Sequence, residues 1–191
     1  MKPSGFGSIV AACALVAPGL AHAHSGIHIA SFTAGVAHPL TGGDHLLAMI
    51  SVGIWAAYLH GRARWVVPTS FVLLVVAGAL IGAAGVAMPA YEYAIAMSVV
   101  VLGLLIALQA RAPAVAAAAI VVPFALAHGY AHGVEAAAHG GLLAFGCGFI
   151  LSMVVLHLAG LALGAVSASR PAGRYAGYAT AAAGVYFALG V

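Results

Sequence analysis

Apolar residues run through this chain in long stretches. What interrupts them is short: a proline, a pair of glycines, one or two arginines, or a histidine. The first stretch, Gly5 to Leu20, follows Lys2 and ends at Ala21-His22-Ala23. A basic start, an apolar middle and a small-x-small site make a secretory leader, so residues 1–23 are predicted to be a signal peptide and His24 the mature N-terminus. Retention as an uncleaved span, or lipoprotein processing at Val10-Ala11-Ala12-Cys13, are the alternative readings. The next run, Ile27 to Ala37, is too short to cross a bilayer as a helix. Pro39 disfavours helix at His38, and Thr41-Gly42-Gly43 breaks the chain again. Asp44 is then placed to cap a helix running to about Leu59. Five more spans are predicted: Trp65 to Ala87, Tyr91 to Gln109, Pro113 to His128, Gly140 to Leu163, and Tyr175 to Val191. The expected fold is all-α, a polytopic membrane helix bundle in one domain over residues 24–191. It has about six transmembrane helices, the first segment being broken or half-length. The alternating pattern of β-barrel strands is absent.

Composition supports this and narrows the functions. The chain is 65% hydrophobic and only 5% charged, whereas soluble domains carry about 25% charged residues. The basic residues are scattered, which excludes a nucleic-acid surface, and no phosphate-binding motif is present. Cys147 falls in an apolar helix and reads as packing; Cys13 lies in the leader. Arg62, Arg64, Arg111, Arg170 and Arg174 all fall in gaps on one side once the spans alternate. The positive-inside rule then puts that side in the cytoplasm. The expected location is the bacterial inner membrane, multi-pass, with the mature N-terminus periplasmic. Two three-span halves of opposite orientation would permit an inverted repeat, although their sequences have no convincing similarity.

Ten histidines and three acids are unusual in so apolar a chain, because imidazole is costly in lipid. Two constellations stand out. The first is His38-Pro-Leu-Thr-Gly-Gly-Asp44-His45, with Met49 one turn on; its plain reading is a capped helix start. The second is His128, His132, Glu135 and His139, which fall on one stripe if the helix continues; its plain reading is a solvated helix end. Imidazole, carboxylate and thioether together suit a borderline transition metal. The candidate metal ligands are His38, Asp44, His45, His128, His132 and Glu135. His24, His28, Met49, His139 and His157 are additional candidates. His24 with its free amine would be a capture point at the N-terminus, and His157 a relay deeper in the fifth span. His60, beside Arg62, reads as interfacial.

These two stretches carry a resemblance. His38 through Met49 to Trp55 resembles the first motif of the HupE/UreJ family, and Phe124-Ala-Leu-Ala-His128-Gly-Tyr-Ala-His132-Gly-Val-Glu135 resembles its second. Leu156-His157-Leu-Ala-Gly160 is similar to a weaker pattern. The resemblance covers essentially the whole chain. It implies a bacterial nickel (or cobalt) permease associated with hydrogenase or urease, with functional residues at His38, Asp44, His45, His128, His132 and Glu135. Composition and spacing alone imply only a borderline metal. The expected partners are a divalent metal ion, as substrate rather than prosthetic group, and the lipid bilayer; oligomerisation stays open. Two other readings compete: an intramembrane metal-dependent hydrolase, and a haem-binding electron carrier with paired axial histidines.

Overall fold

The computed structural model describes residues 31–138, 141–168 and 170–190. Seven helices and no strand occur among the described residues: α1 (Phe32–Thr41), α2 (Gly43–Tyr58), α3 (Ala63–Ala83), α4 (Tyr91–Ala107), α5 (Ala114–Ala138), α6 (Leu142–Ser167) and α7 (Pro171–Ala188). The expected leader, His24, His28 and His139 lie outside the described residues. By length and apolarity α3, α5 and α6 can each cross a membrane, and α1 with α2 passes the same test as one broken span.

α1 starts where Ser31 Oγ accepts a hydrogen bond from Ala34 N at 3.1 Å. It then runs through Pro39 and stops at Gly42, which corrects the break expected at Pro39. Proline removes one backbone donor from this helix, but tertiary packing outweighs that loss. Gly35 of α1 and Gly148 of α6 interlock so closely that a Cβ on either would fall on a carbonyl oxygen of the other helix, Phe145 or Phe32. After Gly42 the chain bends by 87° into α2. Asp44 is not the cap of α2, again against expectation. The helix begins two residues earlier, at Gly43 with Gly42 as cap, and Asp44 sits in its first turn, where the aligned amides favour a carboxylate.

The helix over the fourth predicted span is longer than its sequence pattern suggested. α5 does not end at His128 but continues to Ala138. Gly129 and Gly133, which read as helix weakeners, face α3, where a Cβ would fall on the carbonyls of Val75 and Ala79. In lipid, small residues of this kind let two backbones approach until dispersion holds them. The same device joins α2 to α6 and α4 to α7, and these three pairs make the most extensive helix contacts, with α1 lying on α6.

Chain reversal between successive helices places the α2–α3, α4–α5 and α6–α7 links, with all five arginines, at one end of the bundle. Arg64 and Arg174 donate there to the carbonyls of Ala57 and Ala107, each at 3.2 Å. The opposite end holds the acids.

Candidate metal site

α5 presents His128, His132 and Glu135 on one stripe, since they stand four and three residues apart on a continuous helix. α1 brings His38 to this stripe and the first turn of α2 brings Asp44 and His45, so the 87° bend aims both short segments at one place. The ring centroids form a chain: His38 to His132 is 4.8 Å, His132 to His45 is 4.7 Å, and His45 to His128 is 4.8 Å. His38 Nε2 lies 3.4 Å from Glu135 Oε2. Five of the six candidates thus make two triads, His38/His132/Glu135 and His45/His128/His132, and the ligand atoms of each lie within 4.8 Å of one another. Bonds of ~2.1 Å to an ion need ligand atoms within roughly 4.2 Å, so modest side-chain closure suffices.

The hydrogen bonds orient the imidazoles. Asp44 Oδ1 accepts from His45 N and pairs with His45 Nδ1, both at 2.8 Å. A neutral His45 donates there through Nδ1–H and keeps its Nε2 lone pair bare. Ser98 on α4 donates to the Ile95 carbonyl at 2.6 Å and meets His128 Nε2 at 3.0 Å. Its single hydrogen being committed, Ser98 can only accept from His128 Nε2–H, which leaves Nδ1 bare. His45 Nε2, His128 Nδ1 and both nitrogens of His132 are buried without a hydrogen-bond partner. An orphaned buried polar atom costs about 1–3 kcal/mol, and His45 Nε2, His128 Nδ1 and the unprotonated nitrogen of His132 offer three lone pairs to one ion. Asp44 therefore stands behind His45, orienting it as outer-shell carboxylates orient metal-binding imidazoles.

A cavity of about 490 Å³ leads to this cluster from the acidic end. Its lining includes Asp44, His45, Glu92, Ala131, Glu135 and Phe187. All three acids of the chain line this one cavity, and such a funnel concentrates cations. Burial then deepens inward, from a Glu135 side chain one-third exposed to a His128 fully buried. Below His128 the Phe71 ring lies 5.8 Å from it and 5.5 Å from His157. His157, also buried, has neither ring nitrogen partnered. Met49 is fully buried in the apolar core. His60 is exposed at the arginine end.

Sequence reasoning missed Glu92, Phe71 and Ser98. Glu92 carried a signal, as one of only three acids. Phe71 and Ser98 carried none, because each acquires its place only through packing against α5.

The HupE / UreJ protein family matches residues 11–187. Protein HupE of Rhizobium leguminosarum bv. viciae is 40% identical over 193 residues, covering 100% of both chains. No solved structure matches.

Proposed function

The chain belongs to the HupE / UreJ family, and from that premise we propose that it carries divalent nickel, with cobalt as the second candidate, across the bacterial inner membrane to supply hydrogenase or urease maturation. Membership of a permease family rather than an enzyme family sets aside the hydrolase reading. The broken α1–α2 pair and α3 to α7 are read as six spans after a cleaved leader. The acidic end faces the periplasm and the arginine end the cytoplasm, in keeping with the positive-inside rule.

The observation that carries this reading is the convergence of bare imidazole nitrogens behind a cavity lined by His45 and all three acids. An unpaired divalent ion cannot enter hydrocarbon, since its desolvation costs tens of kcal/mol. Here the carboxylates attract the hydrated ion and offset its charge. His38, His132 and Glu135 replace the first waters. His132, common to both triads, then hands the ion to His45 and His128. Sharing one ligand between neighbouring stations keeps each of them weak enough for release. His157 is the next ligand inward, past Phe71. A nitrogen-rich set favours nickel over magnesium or calcium.

Uptake of radiolabelled nickel by cells carrying the wild type or His45→Ala tests this. Loss of uptake with normal membrane levels is expected; wild-type uptake by the variant would overturn the assignment.

A further inference from the structure

The glycine contacts repeat. Gly53 of α2 abuts the His157 carbonyl of α6, while Gly160 and Gly164 of α6 abut the carbonyls of Ile50 and Ile54. In the α3–α5 pair, Gly129 of α5 abuts the Val75 carbonyl of α3, while Gly78 and Gly82 of α3 abut the carbonyls of Leu126 and Tyr130. The two sets share one register: Ile50, Gly53 and Ile54 are spaced along α2 as Leu126, Gly129 and Tyr130 are along α5. His157, Gly160 and Gly164 likewise match Val75, Gly78 and Gly82. The third pair is its own counterpart. Gly103 of α4 meets the Ala181 nitrogen and the Gly177 carbonyl of α7, and Gly177 meets the Ala107 nitrogen and the Gly103 carbonyl. Gly184, further along α7, meets Val100, which precedes Gly103 on α4, so α4 and α7 run antiparallel. Helices α2 to α7 are therefore two copies of a three-helix unit, α2–α4 and α5–α7, related by a twofold axis lying across the helices.

The copies are not in the same conformation. α4 packs against both α2 and α5, whereas α7 touches α2 slightly and makes no comparable contact with α5. The register that carries Gly53 onto Gly129 also carries Trp55, Tyr58 and Leu59 onto Ala131, Val134 and Glu135. The first three are buried, and Trp55 Nε1 donates to the Ala110 carbonyl just beyond α4 at 2.9 Å. Their counterparts line the open cavity, facing Phe187 of α7. One end of the bundle is shut by α4 and the matching end is left open by α7.

We infer that the two halves exchange these conformations, so that the protein is an alternating-access carrier rather than a pore. In the second state α7 closes over Ala131, Val134 and Glu135. α4 withdraws from Trp55, Tyr58 and Leu59 and opens the histidine cluster toward the arginine end. The α4–α7 pair, keyed by Gly103 and Gly177, rocks as one piece between the two positions. Inverted repeats with a central site produce alternating access in this manner. The inference rests on the transport reading for its purpose, not for its geometry.

The test locks the second state. In the full chain with Cys13→Ser, Cys147→Ser and Trp65→Phe, cysteines replace Ala131 and Phe187, and Trp55 is the single remaining tryptophan. The reduced protein should take up nickel. Disulfide formation should abolish uptake, shift Trp55 emission to the red and expose it to acrylamide, all reversed by reductant. Trp55 is read without nickel, so the two-state geometry is tested whatever the cargo, and uptake is scored separately. A disulfide that leaves Trp55 emission unchanged would overturn the inference. So would undiminished uptake in the oxidised protein, or failure to form the disulfide when both cysteines can be labelled singly.

Discussion

Ser98 reaches His128 across the α4–α5 interface with its only hydrogen already given to Ile95, so it holds that imidazole as an acceptor. Ser98→Ala should therefore weaken metal capture without unfolding the bundle. Outer-shell losses of this kind reduce metal affinity by roughly 10–100-fold. Nickel uptake against concentration should show a raised half-saturation point with little change in maximal rate. An unchanged half-saturation point would reduce Ser98 to a helix-packing residue.

Asp44→Asn separates charge from shape. The amide oxygen can still accept from His45 N and Nδ1, the two bonds that Asp44 Oδ1 accepts now. Only the negative charge is lost. Uptake should fall by more than about 10-fold, since charged outer-shell partners raise ligand basicity, while membrane insertion and thermal stability stay close to wild type. Full activity in the Asn variant would limit Asp44 to hydrogen bonding.

Gly129→Ala and Gly146→Ala form a matched pair on two long helices. A Cβ at Gly129 would fall on the Val75 carbonyl, whereas one at Gly146 meets nothing within 4 Å. The first should lower the melting temperature in detergent, at a cost of ~1–3 kcal/mol from overpacking. The second should be neutral or slightly stabilising, because alanine is the better helix former by about 1 kcal/mol. Equal stabilities would mean that α3 and α5 are not in backbone contact.

His157→Leu probes the deeper station. The substitution keeps the volume near Phe71 but removes both bare nitrogens. Equilibrium binding of nickel at the upper triads should persist while the uptake rate drops severalfold. If rate and binding are both unaltered, His157 serves packing alone.

Much of the fold is legible in the sequence because lipid leaves few options. Apolar runs must be helical where no water can satisfy the backbone, and Gly42-Gly43 in a short run marks a broken segment. Boundaries were less legible where a residue has two uses. Pro39 and Gly133 weaken helices in isolation, but here they lie within helices keyed to neighbours, and nothing local reveals the neighbour. Asp44 illustrates the same limit. A carboxylate after two glycines reads equally as cap, ligand or outer-shell acceptor, and only the position of His45 distinguishes them. The histidine spacing on α5 was more legible, since four-and-three periodicity makes a stripe once the helix continues past Gly129 and Gly133.

α1 breaks the symmetry of the bundle. α4 ends at Ala107 and α5 begins at Ala114, with no half-helix between them to match α1 before α2. The half-helix supplies His38, and with it the triad that includes Glu135 of the cavity lining, to one face only. A carrier made of two equal halves would load and unload with equal ease from either side. On the proposed transport reading, a trap mounted at the acidic mouth alone gathers cargo there at low concentration, and only His157 is left to pass on the way to the arginine side.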